Sequence, residues 1–392
     1  MRFEMSFFDH KQPSFPKVAI SDYREIASKR LPRQLFDFLE GGAFDEITVQ
    51  KNRNDFQQIQ LKKRILKDVS NLNMTTELLG QKFSFPLGLA PIGFAGVYGR
   101  RGEVQAARAA LKAQIPFSLS TVSICSLEEV AQNSQAPFWF QFYMFKDRHH
   151  SLDLLQRAQN VGCPVLLLTV DLPVAGARYR YHRSRYAPNL INFLKEIMHL
   201  KWWIDVRLNG GPLTAGNLPT QAPILSDLPS MRKWMGSQIS QSLTWKDFDW
   251  IRANWKGKIL VKGILEAEDA LMAKEIGADG IVISNHGGRH IDGTSSTIAA
   301  LPRIRKAIGS DFKVLIDGGI TSGLDIFKAI ALGADACMIG KPWIYGLAAR
   351  GEVGVSEVLN ILKNELKIAM IHFGTTSIHE INKDLIESNL EF

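Results

Sequence analysis

The 392-residue sequence predicts an α/β fold, a closed (β/α)8 TIM barrel with an N-terminal helical arm and a long insertion after the fourth strand. From Phe85 onward, short apolar runs alternate with amphipathic helical stretches, and eight such runs can be counted. Each run is followed by a glycine or a polar group. Strand-helix alternation implies a parallel sheet, because parallel neighbours need a crossover connection. Eight repeats favour closure over an open doubly wound sheet, and such barrels reach about 250 residues or more as one unit.

The elements follow in order. Residues 1 to about 16, with Pro13 and Pro16, read as an irregular arm. Ile20 to about Arg30 fits a short helix carrying Tyr23, Ile26 and Ala27, with Ser21 or Asp22 as its cap. Pro32 opens a second helix, whose stripe of Leu35, Phe36 and Leu39 is stopped by Gly41-Gly42. A third, more polar helix spans roughly Asp45 to Asp55. Strands are expected at Pro86 to Ala90, Pro116 to Ser120, Phe138 to Phe142, Val165 to Val170, Ile259 to Val261, Gly280 to Ile283, Lys313 to Ile316 and Ala336 to Ile339. The intervening helices include Glu103 to Ala113, Leu127 to Asn133, Leu152 to Val161, Ala267 to Ile276, Ile298 to Ile308 and Leu324 to Leu332. This divides the chain into an arm over 1–68, a barrel over 69–376 and a tail over 377–392.

Composition narrows the class. Hydrophobic content of 45% and charged content of 22% suit a soluble protein with a large core. A net charge of +8 is compatible with nucleic acid, an anionic membrane or acidic metabolites, but charge alone gives nucleic acid little support. Three cysteines without CxxC spacing suggest neither a disulfide framework nor a zinc site, and nothing resembles a metal cluster. The start of the chain lacks a signal-peptide pattern, and no stretch reaches the roughly 18 apolar residues of a bilayer span. A reducing, cytoplasmic location follows, with any membrane association peripheral.

A barrel places its active site at the C-terminal ends of its strands. Those ends hold Ala90-Pro91-Ile92-Gly93, Ser120-Thr121, Gln141 with Tyr143, Thr169 with Asp171, Lys262, Ser284 with His286 and Arg289, Asp317-Gly318-Gly319, and Gly340-Lys341. His286 is the candidate base and Asp171 the acid that orients it. Arg178 and Arg289 offer fork-shaped cations for a carboxylate, and Lys262 a point charge for a developing anion. The glycine turns after the seventh and eighth strands are the usual barrel location for a phosphate. Base, clamp and phosphate site together suggest proton or hydride removal from a hydroxy acid beside a phosphate-bearing cofactor.

These stretches, with Gly41-Gly42-Ala43, Phe140-Gln141-Phe142-Tyr143, Leu168-Thr169-Val170-Asp171, Gly176-Ala177-Arg178-Tyr179-Arg180, Lys262-Gly263 and Ser284 to Arg289, resemble the FMN-dependent α-hydroxy-acid oxidoreductases. The Gly-Ala-Arg-Tyr-Arg form and Trp245-Lys246-Asp247-Phe248 are most similar to the bacterial quinone-linked L-lactate dehydrogenases. The resemblance implies FMN, an L-2-hydroxy acid such as L-lactate, a quinone or other respiratory acceptor, and a homo-oligomer, often a tetramer. It implies that Pro91, Ile92, Gly93, Ser120, Gln141, Thr169 and Lys262 hold the flavin ring, with Ser284 also at the cofactor. Asp317, Gly318, Gly319, Gly340 and Lys341 would hold the phosphate end. His286 would be the base, Asp171 its partner, Tyr143 a hydrogen bond to the substrate hydroxyl, and Arg178 with Arg289 the carboxylate clamp. Whether His286 takes the α-proton or the hydroxyl proton stays open.

Four positions depart from the family pattern. Phe38 stands where a tyrosine would meet the substrate carboxylate, which points either to two sufficient arginines or to a bulkier, more apolar substrate. His290 replaces a glutamine. Thr321 and Lys341 replace arginines at the phosphate, implying weaker, more salt-sensitive FMN binding. Roughly 85 residues separate Asp171 from Ile259, against about 20 to 35 between most neighbouring strands, so the insertion covers about 175–245. Arg178 to Arg207 carries seven basic residues against Glu196 and Asp205. Ile191, Phe193, Leu194, Ile197, Met198, Leu200 and Trp202-Trp203 follow that cluster, a composition that can lie in an anionic headgroup region at the inner face of a membrane or close as a lid over the barrel. An oxygen-using 2-hydroxy-acid oxidase of glycolate or mandelate type, a flavin-binding homologue with weak catalysis and a colourless isomerase or aldolase barrel using Lys262 are the alternatives.

Overall fold

The computed structural model describes residues 17–185, 199–211, 213–218 and 234–387. The irregular arm, residues 186–198 of the insertion and the last residues of the tail lie outside them. Eight parallel strands form one sheet: β3 (Leu87–Leu89), β4 (Ser118–Ser120), β5 (Trp139–Phe142), β6 (Val165–Thr169), β7 (Lys258–Ile264), β8 (Gly280–Ile283), β9 (Lys313–Ile316) and β10 (Ala336–Ile339). The order runs β3-β10-β9-β8-β7-β6-β5-β4, and a parallel Leu89–Phe117 bridge joins the two ends into a ring. The expected barrel is thus present, with every strand at its expected place.

A hairpin that the sequence reading missed, β1 (Thr76–Leu78) and β2 (Gln81–Phe83), precedes the barrel. Its two three-residue strands carry too little alternation to be read as a pattern. Leu78 packs in a cluster with Trp139, Val165, Leu167, Leu260, Val282, Leu315, Ala336 and Met338, the alternate residues that fill the barrel. The other strand face is buried under helices, through residues such as Phe140, Leu166, Val261 and Ile281. Burial on both faces is why the strands read as continuous apolar runs.

Side chains alternate along a strand with period 2. Following the inward set one step beyond the apolar layers leads to Ser120, Gln141, Thr169, Lys262, Ser284 and Asp317. The same alternation that fills the barrel therefore lays a polar floor at its C-terminal mouth.

Three helices of the arm, α1 (Ile20–Arg30), α2 (Arg33–Glu40) and α3 (Ile47–Gln58), cover that end. The first is capped differently from the expectation: Ala19 is the N-cap, and the Asp22 carboxylate reaches back to accept the Val18 and Ala19 N–H groups. Ser21 is not the cap. In α3 the polar residues Thr48, Asn52 and Asp55 are buried, so its polarity marks a docking face. The helices of the repeats lie within a few residues of their expected bounds, for example α4 (Gly102–Ala113) after β3. The last one, a kinked helix over Lys341–His372, was not anticipated. Beyond it Ile378, Ile381, Leu385 and Ile386 are buried, and Ile386 bridges Leu61.

Candidate active site

The mouth of the barrel is a cleft of about 640 Å³. Its floor is a hydrogen-bonded chain across three strands: Ser120 Oγ donates to Gln141 Oε1 (3.1 Å), and Gln141 Nε2 donates to Thr169 Oγ1 (3.0 Å). Lys262 Nζ continues the layer, donating to Ser284 Oγ (2.7 Å) and pairing with Asp317 (2.8 Å). Only 5% of its side chain is exposed, so the Asp317 carboxylate is the counter-charge that offsets the cost of burying an ammonium under the cleft.

His286 stands at the end of β8 with φ +55°, a left-handed conformation that is costly for a residue with a Cβ. Ser284 Oγ accepts the His286 N–H (3.0 Å) and the glycines that follow absorb the turn. The imidazole Nδ1 lies 3.0 Å from Asp171 Oδ1. With Asp171 ionised, Nδ1 carries the proton and Nε2 is left as the free base. Gly263 makes this pairing possible: at φ +114°, it leaves space where a Cβ would lie 2.6 Å from the Asp171 Cβ.

Burial, and then the charges of Lys262 and Arg289, hold the His286 imidazole well below its ordinary value of 6.5. Burial pushes Asp171 up, against the opposing pull of Lys262 and His290. The His290 ring stacks on His286 at 3.8 Å, and its Nδ1 lies 3.0 Å from the Asp171 carbonyl oxygen. His290 is therefore in contact with the base itself, and burial holds it below 6.5 as well.

Arg178, just before the helix Tyr179–Arg185, converges with Arg289 of the loop after β8, Arg178 Nε donating to the Arg289 carbonyl (3.3 Å). Both guanidinium carbons lie over the Phe38 ring, at 5.1 and 5.4 Å. Tyr143 lines the cleft and is buried, which raises its phenol pKa.

At the opposite end, Asp317, Gly318, Gly319, Gly340 and Lys341 line the cleft with Pro91, Ile92 and Gly93. Gly319 (φ +86°) is seated against α3, where a Cβ would fall 1.8 Å from the Asn52 carbonyl oxygen. Thr321 and Lys341 are both engaged. Thr321 Oγ1 donates to Asp325 (3.3 Å), and Lys341 Nζ donates to the Glu40 carbonyl (2.7 Å). Burial pushes Lys341 down to about 8.

Asp171 and Ser284 stand just behind the lining, Ser284 holding Lys262 and the His286 backbone. The sequence reading missed Arg24, Glu40, Asn52 and Arg53 of the arm, and Leu172, Met235 and Ile239 on the apolar wall. Arg24, Glu40, Asn52 and Arg53 belong to no motif that the sequence reading used, and tertiary packing is what brings them to the cleft.

The cleft fits a flavin nucleotide. A row of buried amide and hydroxyl groups above a lysine suits the polar edge of a flavin ring. Asp317 Oδ1 is buried without a hydrogen-bond partner among the described residues, and a polyol hydroxyl would satisfy it. Comparison with known families decides the matter: residues 27–388 match the family model of the FMN-dependent dehydrogenases. The chain belongs to that family.

It is therefore an FMN-dependent oxidoreductase. An L-lactate dehydrogenase of Caulobacter sp. (strain K31) is 46% identical over 372 residues, covering 93% of this chain and 97% of that protein. One of Pectobacterium atrosepticum is 47% identical over 369 residues, covering 93% and 96%. Among solved structures, a monotopic membrane (S)-mandelate dehydrogenase superposes with a TM-score of 0.90 at 37% identity, covering 95% of this chain and 100% of that one. Among the described residues no helix is long and apolar enough to cross a membrane.

Proposed function

We propose that this FMN-dependent dehydrogenase oxidises an L-2-hydroxy acid, L-lactate or a congener with a larger apolar side chain, to the 2-oxo acid. The observation that carries the reading is the convergence of a neutral imidazole, oriented by Asp171, and two guanidinium groups on one cleft. Arg178 and Arg289 would hold the substrate carboxylate, and Tyr143 would hydrogen-bond its hydroxyl. His286 Nε2 would take the proton released on oxidation, leaving an imidazolium that Asp171 stabilises. Bound FMN supplies the two-electron acceptor. Ser120, Gln141, Thr169 and Lys262 would hold its ring, and Lys262 would favour electron-rich flavin by its charge. The backbone of Gly318, Gly319 and Gly340 would approach the phosphate.

Phe38 and the apolar residues Leu172, Met235 and Ile239 favour an apolar substrate side chain over a second polar group. Anaerobic bleaching of the flavin by a panel of L- and D-2-hydroxy acids tests this. L-lactate and larger apolar L-acids should bleach it, and the D-acids should not. Bleaching by D-acids alone, or by none, would overturn the reading.

The electron acceptor is proposed to be a quinone reached at the cytoplasmic face of a membrane. In the described part of the insertion, Trp202 is buried and donates to the Val97 carbonyl (2.8 Å), anchoring the segment on the barrel. Its neighbours Leu200, Trp203, Ile204 and Leu208 are 41% to 72% exposed beside Lys201 and Arg207. Aromatic, aliphatic and cationic groups facing outward together suit a headgroup region. Slow reoxidation in air, with rapid reoxidation by a soluble quinone, is the expected result; fast peroxide formation would make it an oxidase. A homo-tetramer is expected in solution, read by mass from light scattering.

A further inference from the structure

We infer that Arg53, on the arm helix α3, is the guanidinium that neutralises the FMN phosphate. The inference rests on FMN being the ligand of this cleft. A phosphate placed at the Gly318–Gly319 and Gly340 turns enters a region that already holds the carboxyl groups of Glu40 and Glu365. Each cation there has a defined engagement. Arg24 makes two hydrogen bonds to the Glu40 carboxylate (2.9 and 2.8 Å), which also accepts the Tyr345 hydroxyl. Lys341 is held on the Glu40 carbonyl, and burial disfavours its charged form. The Thr321 side chain is uncharged and bonded to Asp325. The first N–H groups of the following helix, Gly323–Ala331, are also occupied: Ser322 donates to Asp325 (2.9 Å) and Gly323 to Glu365 (2.7 Å).

Arg53 differs from all of these. It lines the same cleft, is exposed, and makes no hydrogen bond or ion pair among the described residues. Val49 and Asn52 line the cleft from the same face of α3, as expected for positions three and four apart on a helix. Asn52 fixes the height of that face, because its carbonyl rests directly against Gly319 and its amide exchanges hydrogen bonds with Asn285 (2.9 and 2.8 Å). Arg53 follows Asn52 on that helix and lines the same cleft, and its charge acts on Tyr345, whose hydroxyl is bonded to Glu40. A planar, permanently charged fork suits a phosphate better than a buried lysine whose proton is already weakly held. The family arginine missing at Thr321 is thus answered from another element, the N-terminal arm.

The test is flavin affinity, read by fluorescence quenching on the full chain freed of flavin by dialysis, with FMN and riboflavin compared. Arg53→Gln is expected to weaken FMN binding by roughly tenfold to a hundredfold, the range for a hydrogen bond to a charged group. Riboflavin, which lacks the phosphate, should bind wild type and variant alike, and the salt dependence of FMN binding should flatten in the variant. Adding Thr321→Arg to Arg53→Gln should restore FMN affinity. Equal losses for FMN and riboflavin, or no loss for either, would overturn the assignment. Failure of the wild-type protein to bind either flavin would sink the cofactor reading beneath it.

Discussion

His286 carries the most chemistry per atom, and its surroundings set its titration. Burial beside Lys262 and Arg289 keeps the imidazole neutral below its ordinary 6.5. We expect kcat/KM to stay flat from neutrality down through pH 6.5 and to fall only at lower pH; an acid limb centred at 6.5 would show that the field of the site is absent. The sign for stability follows from linkage. In the unfolded chain His286 and His290 bind protons near 6.5, whereas in the folded chain both resist them. Their contribution is therefore present above 6.5 and lost as pH falls below it. Denaturant titrations at pH 7.5 and 5.5 should show the loss, and replacing His290 with glutamine should reduce it. At Phe38, whose ring lies under both guanidinium groups, Phe38→Tyr should lower KM for L-lactate by about tenfold or more through one added hydrogen bond to the carboxylate. An unchanged KM would mean that the phenol does not reach the substrate. His286 was legible in the sequence because it follows a recognisable strand end, and Phe38 because it stands where the family pattern has a tyrosine. His290 was legible only as a departure, since stacking against the base is a fact of three dimensions.

Among the elements, α3 is the one whose meaning was hidden. Its sequence is polar, and polar helices usually face solvent. Here the polar residues are the joint itself: Asn52 and Asn285 exchange amide hydrogen bonds, and Asp292 accepts the Ile47 and Thr48 N–H groups. Asn52→Ala would leave a buried amide unsatisfied, at a cost of about 1 to 3 kcal/mol in a denaturation curve. Gly319→Ala should be worse, since a Cβ there would meet the Asn52 carbonyl at 1.8 Å, and FMN retention should fall with it. The exposed apolar residues Leu200, Trp203, Ile204 and Leu208 predict a different effect. Changing Trp203, Ile204 and Leu208 together to serine should abolish co-sedimentation with anionic liposomes and leave flavin bleaching intact. A wild-type protein that ignores such liposomes would refute membrane attachment.

In the whole molecule, closure of the barrel explains why residues read from separate strand ends meet at one cleft. A period-2 pattern that is apolar through Val165, Leu167, Leu260 and Val282 turns polar at Thr169, Lys262 and Ser284, so chain order and spatial order coincide around the ring. The helices laid over the mouth obey no such period, and their residues at the cleft, Arg24, Glu40 and Arg53, escaped the sequence reading for that reason. The central claim is that this ring of strand ends assembles one oxidising site with His286 as its base. Its most direct test is anaerobic stopped-flow reduction of the bound flavin by L-lactate, comparing wild type with His286→Gln. We predict rapid bleaching of the wild type, and a rate roughly a hundredfold to ten-thousandfold lower in a variant that still holds its flavin. Bleaching of the variant at the wild-type rate would contradict the account.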